Sequence, residues 1–181
     1  MVWDLRYAGP SGQSPNGVRG RNSEARGAQA PPGKYTARLI ADGVTYDQPF
    51  EIKLDPGLQI SEEDLQLQFK VTAGLVKMQS AVNAAIAKLA TVDSDKKDNA
   101  GRLLGELARP RDLGRSETGP RLKEQVDALF TMTDGVNAAP TAAQTRYYEQ
   151  LQAEFQQLMT RVEALVGSDN RDSGGVGSKH N

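Results

Sequence analysis

The chain has no cysteine and a single histidine, His180, next to its last residue. The first absence excludes disulfides and thiolate metal sites. The second takes histidine-based acid–base and metal chemistry away from any folded part, because residues 168–181 are rich in Gly, Ser and Asp and are expected to fray. No apolar run approaches the ~20 residues that a bilayer span requires. A dominant charge is missing too. Seven Lys/Arg against six Asp/Glu give residues 1–57 a charge of +1, and fifteen against seventeen give residues 58–181 a charge of −2. Neither half has the positive field by which nucleic acid is usually held. The start, Met1-Val2-Trp3-Asp4-Leu5-Arg6, has neither the basic residues nor the apolar stretch of a signal peptide, so export on a signal of its own is not expected. A Gly-rich phosphate loop and a nucleophile elbow are also absent.

What is present is a globular composition, 38% hydrophobic and 25% charged, with a change of period at Asp55-Pro56-Gly57. Before it, Tyr35-Thr36-Ala37-Arg38-Leu39 alternates as a strand does. After it, apolar residues recur every third and fourth position, as on a helix. The expected class is α+β. A small antiparallel β module (residues 1–57) precedes an antiparallel bundle of three to four helices (58–167) and a disordered tail (168–181).

In the β module, residues 2–7 read as a strand with Trp3, Leu5 and Tyr7 on one face. Residues 9–33 hold six Gly and four Pro and read as a mobile loop, since they cannot bury enough surface to offset their ordering entropy. Residues 34–41 and 44–54 read as a hairpin closed by Asp42-Gly43, a dipeptide that favours the positive φ angles of a type I′ turn. Pro49 marks its strand as an edge or a bulge. Three strands leave an apolar face uncovered.

In the helical part, Ser61 is placed to cap a helix over 62–92, roughly 46 Å long, with Leu75, Met78, Val82, Ile86 and Leu89 on one stripe. Shorter helices are expected over 96–108 and 121–135. Thr141 and Gln144 have the spacing of a capping box for a last helix. There Tyr148, Leu151, Phe155, Leu158, Val162 and Leu165 repeat four and three apart, the seam of a bundle or coiled coil.

Candidate chemistry is sparse. Asp93, Asp95 and Asp98 have some of the spacing of a calcium loop without its Gly or terminal Glu, and read as solvated caps. Arg19, Arg21 and Arg26, diluted by Glu24, read as a solubilising loop, and Arg109, Arg111, Arg115 and Arg121 as solvated charge. Trp3 and Tyr7 fit either a core or a sugar-stacking platform. No cofactor is implied, and no paired carboxylates of the kind glycosidases use can be placed in a cleft.

Trp3-Asp4-Leu5-Arg6-Tyr7, Pro32-Gly33-Lys34-Tyr35-Thr36-Ala37-Arg38-Leu39, Asp42-Gly43, Gln48-Pro49 and Leu54-Asp55-Pro56 together resemble one bacterial family. So do Asp64-Leu65-Gln66-Leu67-Gln68-Phe69 and Ala139-Pro140-Thr141. The family is the carboxy-terminal region of large BNR/Asp-box β-propeller proteins, sortilin-like and often labelled glycosyl hydrolase, and the resemblance runs to about Val166. It implies a partial Ig-like sandwich, the chain starting inside it, followed by helices. Hydrolase chemistry would belong to an upstream propeller, and no Asp-box occurs here. The reading is therefore a non-catalytic accessory or protein-interaction module of an extracytoplasmic protein. Its partner would be the parent propeller, or a second copy bound through the β segment. The alternatives are a carbohydrate-binding or glycosidase-associated module touching sugar with Trp3 and Tyr7, and a fragment with no independent role.

Overall fold

At the change of period the chain makes a tight turn. The Asp55 carboxylate accepts the Gly57 N–H at 2.8 Å, and the Asp55 carbonyl accepts that of Leu58 at 3.0 Å. The computed structural model describes residues 3–12, 26–109, 119–136 and 138–167. On one side of the turn lie β1 (Gly33–Ala41) and β2 (Val44–Ile52). On the other lie α1 (Glu62–Leu89), α2 (Lys97–Leu107), α3 (Leu122–Thr133) and α4 (Ala142–Gly167), with a 3-10 turn over Ser94–Lys96 leading into α2. The chain is α+β, with two antiparallel strands in one sheet and four helices among the described residues. The expected tail lies outside the described residues.

Each helix begins and ends for a local reason. Ser61 Oγ accepts the Asp64 N–H at 3.1 Å, and Glu62, Glu63 and Asp64 set negative charge against the N-terminal end of the dipole. α1 stops at Leu89, three residues short of the expected Val92, where Thr91 Oγ1 turns back onto the Lys88 carbonyl at 2.9 Å. The Glu124 carboxylate accepts the main-chain N–H groups of both Arg109 and Arg121, so one side chain joins the end of α2 to the start of α3. Gln68 of α1 donates to the carbonyls of Thr133 and Val136 and so closes the C-terminus of α3. Thr141 and Gln144 form the expected reciprocal box, at 2.8 and 3.2 Å.

The four helices share one core and each touches the other three. Leu75, Leu107, Leu129 and Leu151, one from each helix, are essentially inaccessible, and each such side chain contributes on the order of 1.5–3 kcal/mol of transfer free energy. On the expected stripes, Leu75, Met78, Val82, Leu89, Tyr148, Leu151, Leu158 and Val162 are buried. Ile86, Phe155 and Leu165 pack at the margin.

The amino-terminal strand is a correction. Residues 3–7 do not form a strand; one isolated bridge, Arg6 to Gln29, is all the pairing they have among the described residues. Asp4 Oδ1 accepts the Arg6 N–H at 3.1 Å, Trp3 Nε1 donates to the Arg6 carbonyl at 2.7 Å, and Leu5 sits at φ 61°. These local bonds curl the segment, and a side chain that recruits its own backbone competes with a ladder. The loop reading of 9–33 is corrected at its end. Ala28 and Ala30 are buried, Tyr7 N–H donates to the Ala28 carbonyl at 3.0 Å, and Ala30 N–H to that of Leu5 at 2.8 Å. A Cβ on Gly27 would lie 1.9 Å from the Tyr7 carbonyl oxygen, so only glycine allows this approach. Residues 13–25 lie outside the described set.

The described sheet therefore has two strands where three were expected. The register runs without a bulge from Gly33 opposite Ile52 to Ala41 opposite Val44, and Asp42 and Gly43 turn at φ 50° and 77°.

Candidate functional site

A two-residue turn fixes which face and which edge every hairpin residue occupies. Counting back from Ala41–Val44, one face carries the pairs Leu39–Tyr46, Ala37–Gln48 and Tyr35–Phe50 and holds no charged side chain. The other carries Lys34–Glu51, Thr36–Pro49, Arg38–Asp47 and Ile40–Thr45. There Arg38 holds the Asp47 carboxylate with two bonds, at 2.8 and 2.7 Å, which keeps that carboxyl below its ordinary range.

The hairpin stands clear of the bundle along most of its length. Leu39 is 62% exposed, Tyr46 57% and Val44 50%. Together they form an apolar surface of several hundred Å², roughly the size at which such a patch marks an interaction surface. Near the base it is partly covered. The Trp3 ring meets Tyr35 and Phe50 edge-on, at centroid distances of 5.9 and 6.1 Å, while Tyr35 and Phe50 stack at 5.8 Å.

Trp3 and Tyr7, expected side by side on one strand, take different neighbours. Tyr7 tilts against Phe69 of α1 at 5.1 Å and reaches Trp3 only by way of Tyr35. Burial raises the Tyr35 phenol above its ordinary pKa, with the charge and hydroxyl of Tyr7 adding to it. The Tyr35 hydroxyl donates to the Pro31 carbonyl at 2.6 Å. Trp3 and Tyr7 are 43% and 49% exposed. The apolar face itself, Tyr35, Leu39, Val44, Tyr46 and Phe50, was not among the expected site residues. Counting outward from Asp42-Gly43 would have found it.

The segment carrying Trp3 is pinned by an ion pair. Arg6 Nη1 lies 2.8 Å from Asp134 Oδ1, and the two side chains are 15% and 12% exposed. The same nitrogen donates to the Gly27 carbonyl at 2.8 Å. A cavity of about 210 Å³ lies between hairpin base and α1, walled by Leu5, Pro31, Ile52, Leu65 and Phe69. Three of its polar side chains are engaged elsewhere: Gln68 on α3, Thr72 Oγ1 on the Gln68 carbonyl at 2.9 Å, and Asp134 on Arg6. Gln29, Lys53 and Asp55 complete its polar lining.

The other expected candidates do not converge. Asp93, Asp95 and Asp98 are exposed around the 3-10 turn, and no group of three metal-capable side chains occurs among the described residues. Arg26 is exposed, and Arg19, Arg21, Arg111 and Arg115 lie outside the described residues. No described helix is long and apolar enough to cross a membrane. Set beside known proteins, the chain matches no protein-family model, no curated protein and no solved structure.

Proposed function

We propose that this protein is a non-catalytic interaction module whose helical bundle presents the hairpin to another polypeptide. The observation that carries this reading is the uncharged apolar face of β1 and β2, open to solvent at Leu39, Val44 and Tyr46. A monomer gains nothing from such a face, which exposes apolar area at a cost in free energy. The resemblance of the Trp3–Tyr7 and Pro32–Leu39 segments to the carboxy-terminal region of Asp-box propeller proteins supports an accessory role. In that reading the partner belongs to, or acts with, an extracytoplasmic propeller. A photo-reactive side chain at Tyr46 tests it in the cells that make the protein. It should capture one defined polypeptide, and Leu39→Asp should abolish the capture. Equal capture from Gln157 on α4, or none from Tyr46, would sink the reading.

The half-exposed rings of Trp3 and Tyr7 support the second reading, a sugar-binding module. Calorimetric titration with a panel of oligosaccharides separates the two. Saturable binding lost in Trp3→Ala, with capture at Tyr46 absent, would favour sugar.

A further inference from the structure

We infer that a second copy of this chain adds its β1 to the free edge of β1, antiparallel, with the two-fold axis passing beside Ala37. The inference rests on the hairpin being the recognition element and names one occupant of its edge.

The two edges of the hairpin are not equivalent. In a hairpin closed by a two-residue turn, hydrogen-bonded and non-hydrogen-bonded pairs alternate from the closing pair outward. Ala41–Val44 bond each other, as do Leu39–Tyr46, Ala37–Gln48 and Tyr35–Phe50. The main-chain groups of Lys34, Thr36, Arg38 and Ile40 therefore point outward from β1, and those of Thr45, Asp47, Pro49 and Glu51 outward from β2. On β2 the row is broken at its centre, because Pro49 has no N–H to give. It also carries the carboxylate of Glu51, held loosely by Lys53 at 3.8 Å, whereas Asp47 is bound by Arg38. On β1 the row is complete, and among the described residues no backbone hydrogen bond outside the hairpin reaches it. Its Arg38 is already neutralised by Asp47.

Self-pairing of β1 about Ala37 satisfies every constraint at once. Lys34 falls opposite Ile40 and Thr36 opposite Arg38, so no like charges face each other directly. All of these are residues with outward main-chain groups, so about eight new ladder bonds form. On the apolar face Tyr35 falls opposite Leu39, large against large. Ala37 meets its own copy at a non-hydrogen-bonded pair, where the backbones approach to about 4.5 Å and a small side chain fits. The product is a four-stranded sheet with one continuous apolar face and isologous symmetry. A lone two-stranded sheet is marginal, and three or more strands with an apolar face are what confer independent stability.

Sedimentation equilibrium of the full chain should show a monomer–dimer equilibrium. Thr36→Pro and Thr45→Pro make a matched pair, since both place proline at an outward-facing position. The first should weaken the dimer about tenfold or more, and the second should leave it intact. Because the native chain has no cysteine, Ala37→Cys should oxidise to a covalent dimer, as the separation across the axis suits a disulfide. Gln48→Cys, on β2, should not. The Ala37→Cys arm does not depend on the proline variants folding. A monomeric chain, equal loss in the two proline variants, or equal cross-linking at 37 and 48 would overturn the inference. A monomer whose Tyr46 probe still captures another polypeptide would refute the dimer and leave the docking function standing.

Discussion

A Cβ on Gly74 would lie 2.0 Å from the hydroxyl oxygen of Tyr148. Gly74 sits within α1 and Tyr148 is a buried residue of α4, so the missing side chain of one makes room for the ring of the other. Gln152 Nε2 donates to that same hydroxyl at 3.1 Å, which holds it in place.

Gly74→Ala is therefore expected to destabilise the protein although alanine is the better helix former. Propensity favours the change by ~1 kcal/mol, whereas overpacking a fixed ring costs about 1–3 kcal/mol. Tyr148→Phe removes the nearer clashing atom and should recover part of the loss in the double variant, since the ring carbon Cζ would still lie 2.9 Å from the added Cβ. Urea denaturation of the four chains measures the coupling; additive effects would show that the two positions do not press on each other.

On α4 the buried and exposed faces should separate cleanly. Leu158 is 4% exposed within the shared core, and its replacement by Ala should cost about 2–5 kcal/mol. Gln157, one residue away and exposed, should change stability by less than about 0.5 kcal/mol. Equal losses in thermal melts would place the seam on the wrong face.

The third expectation concerns acid. Arg161 grips both oxygens of Glu106 and, first among the causes, its hydrogen bonds hold that carboxyl below its ordinary range. The folded pKa being the lower one, the stabilisation is complete above the unfolded value, about 4.3. It is lost as pH falls through the folded value. The pair is largely solvated, so the effect is small. Glu106→Gln should lower the melting temperature slightly at neutral pH, change it least in acid where the pair is already lost, and so flatten the acid limb of the profile. An unaltered acid limb would show that the pair adds nothing.

The parts of this fold that were legible in the sequence are those decided within a few residues. Ser61 and Thr141 announce their helices because a cap is satisfied three positions away. Asp42-Gly43 dictates the register because both residues accept positive φ. Residues 3–7 misled because alternation shows what a strand would do, not whether a neighbour exists to pair with it. Their actual neighbours are residues 28–30, across a segment whose composition gave no sign of burial. The union of Trp3 with Tyr35 and Phe50 was legible in half. The cross-strand pair follows from the turn, whereas the Trp3 segment is held by residues 27–30 and by Asp134, which no local pattern records.

That last pair also orders events in time. Arg6 and Asp134 are 128 residues apart, so their contact closes a loop over most of the chain. During synthesis, hairpin and α1 can form as soon as they emerge, being built from near neighbours. The segment bearing Trp3 has its bonds to Gly27, Ala28 and Ala30 and its ring contacts with Tyr35 and Phe50 within the first fifty residues. Its tie to Asp134 must wait until α3 has been made. The indole thus rests on partners that are made early, and what is added last is the clasp that ties its segment to the bundle.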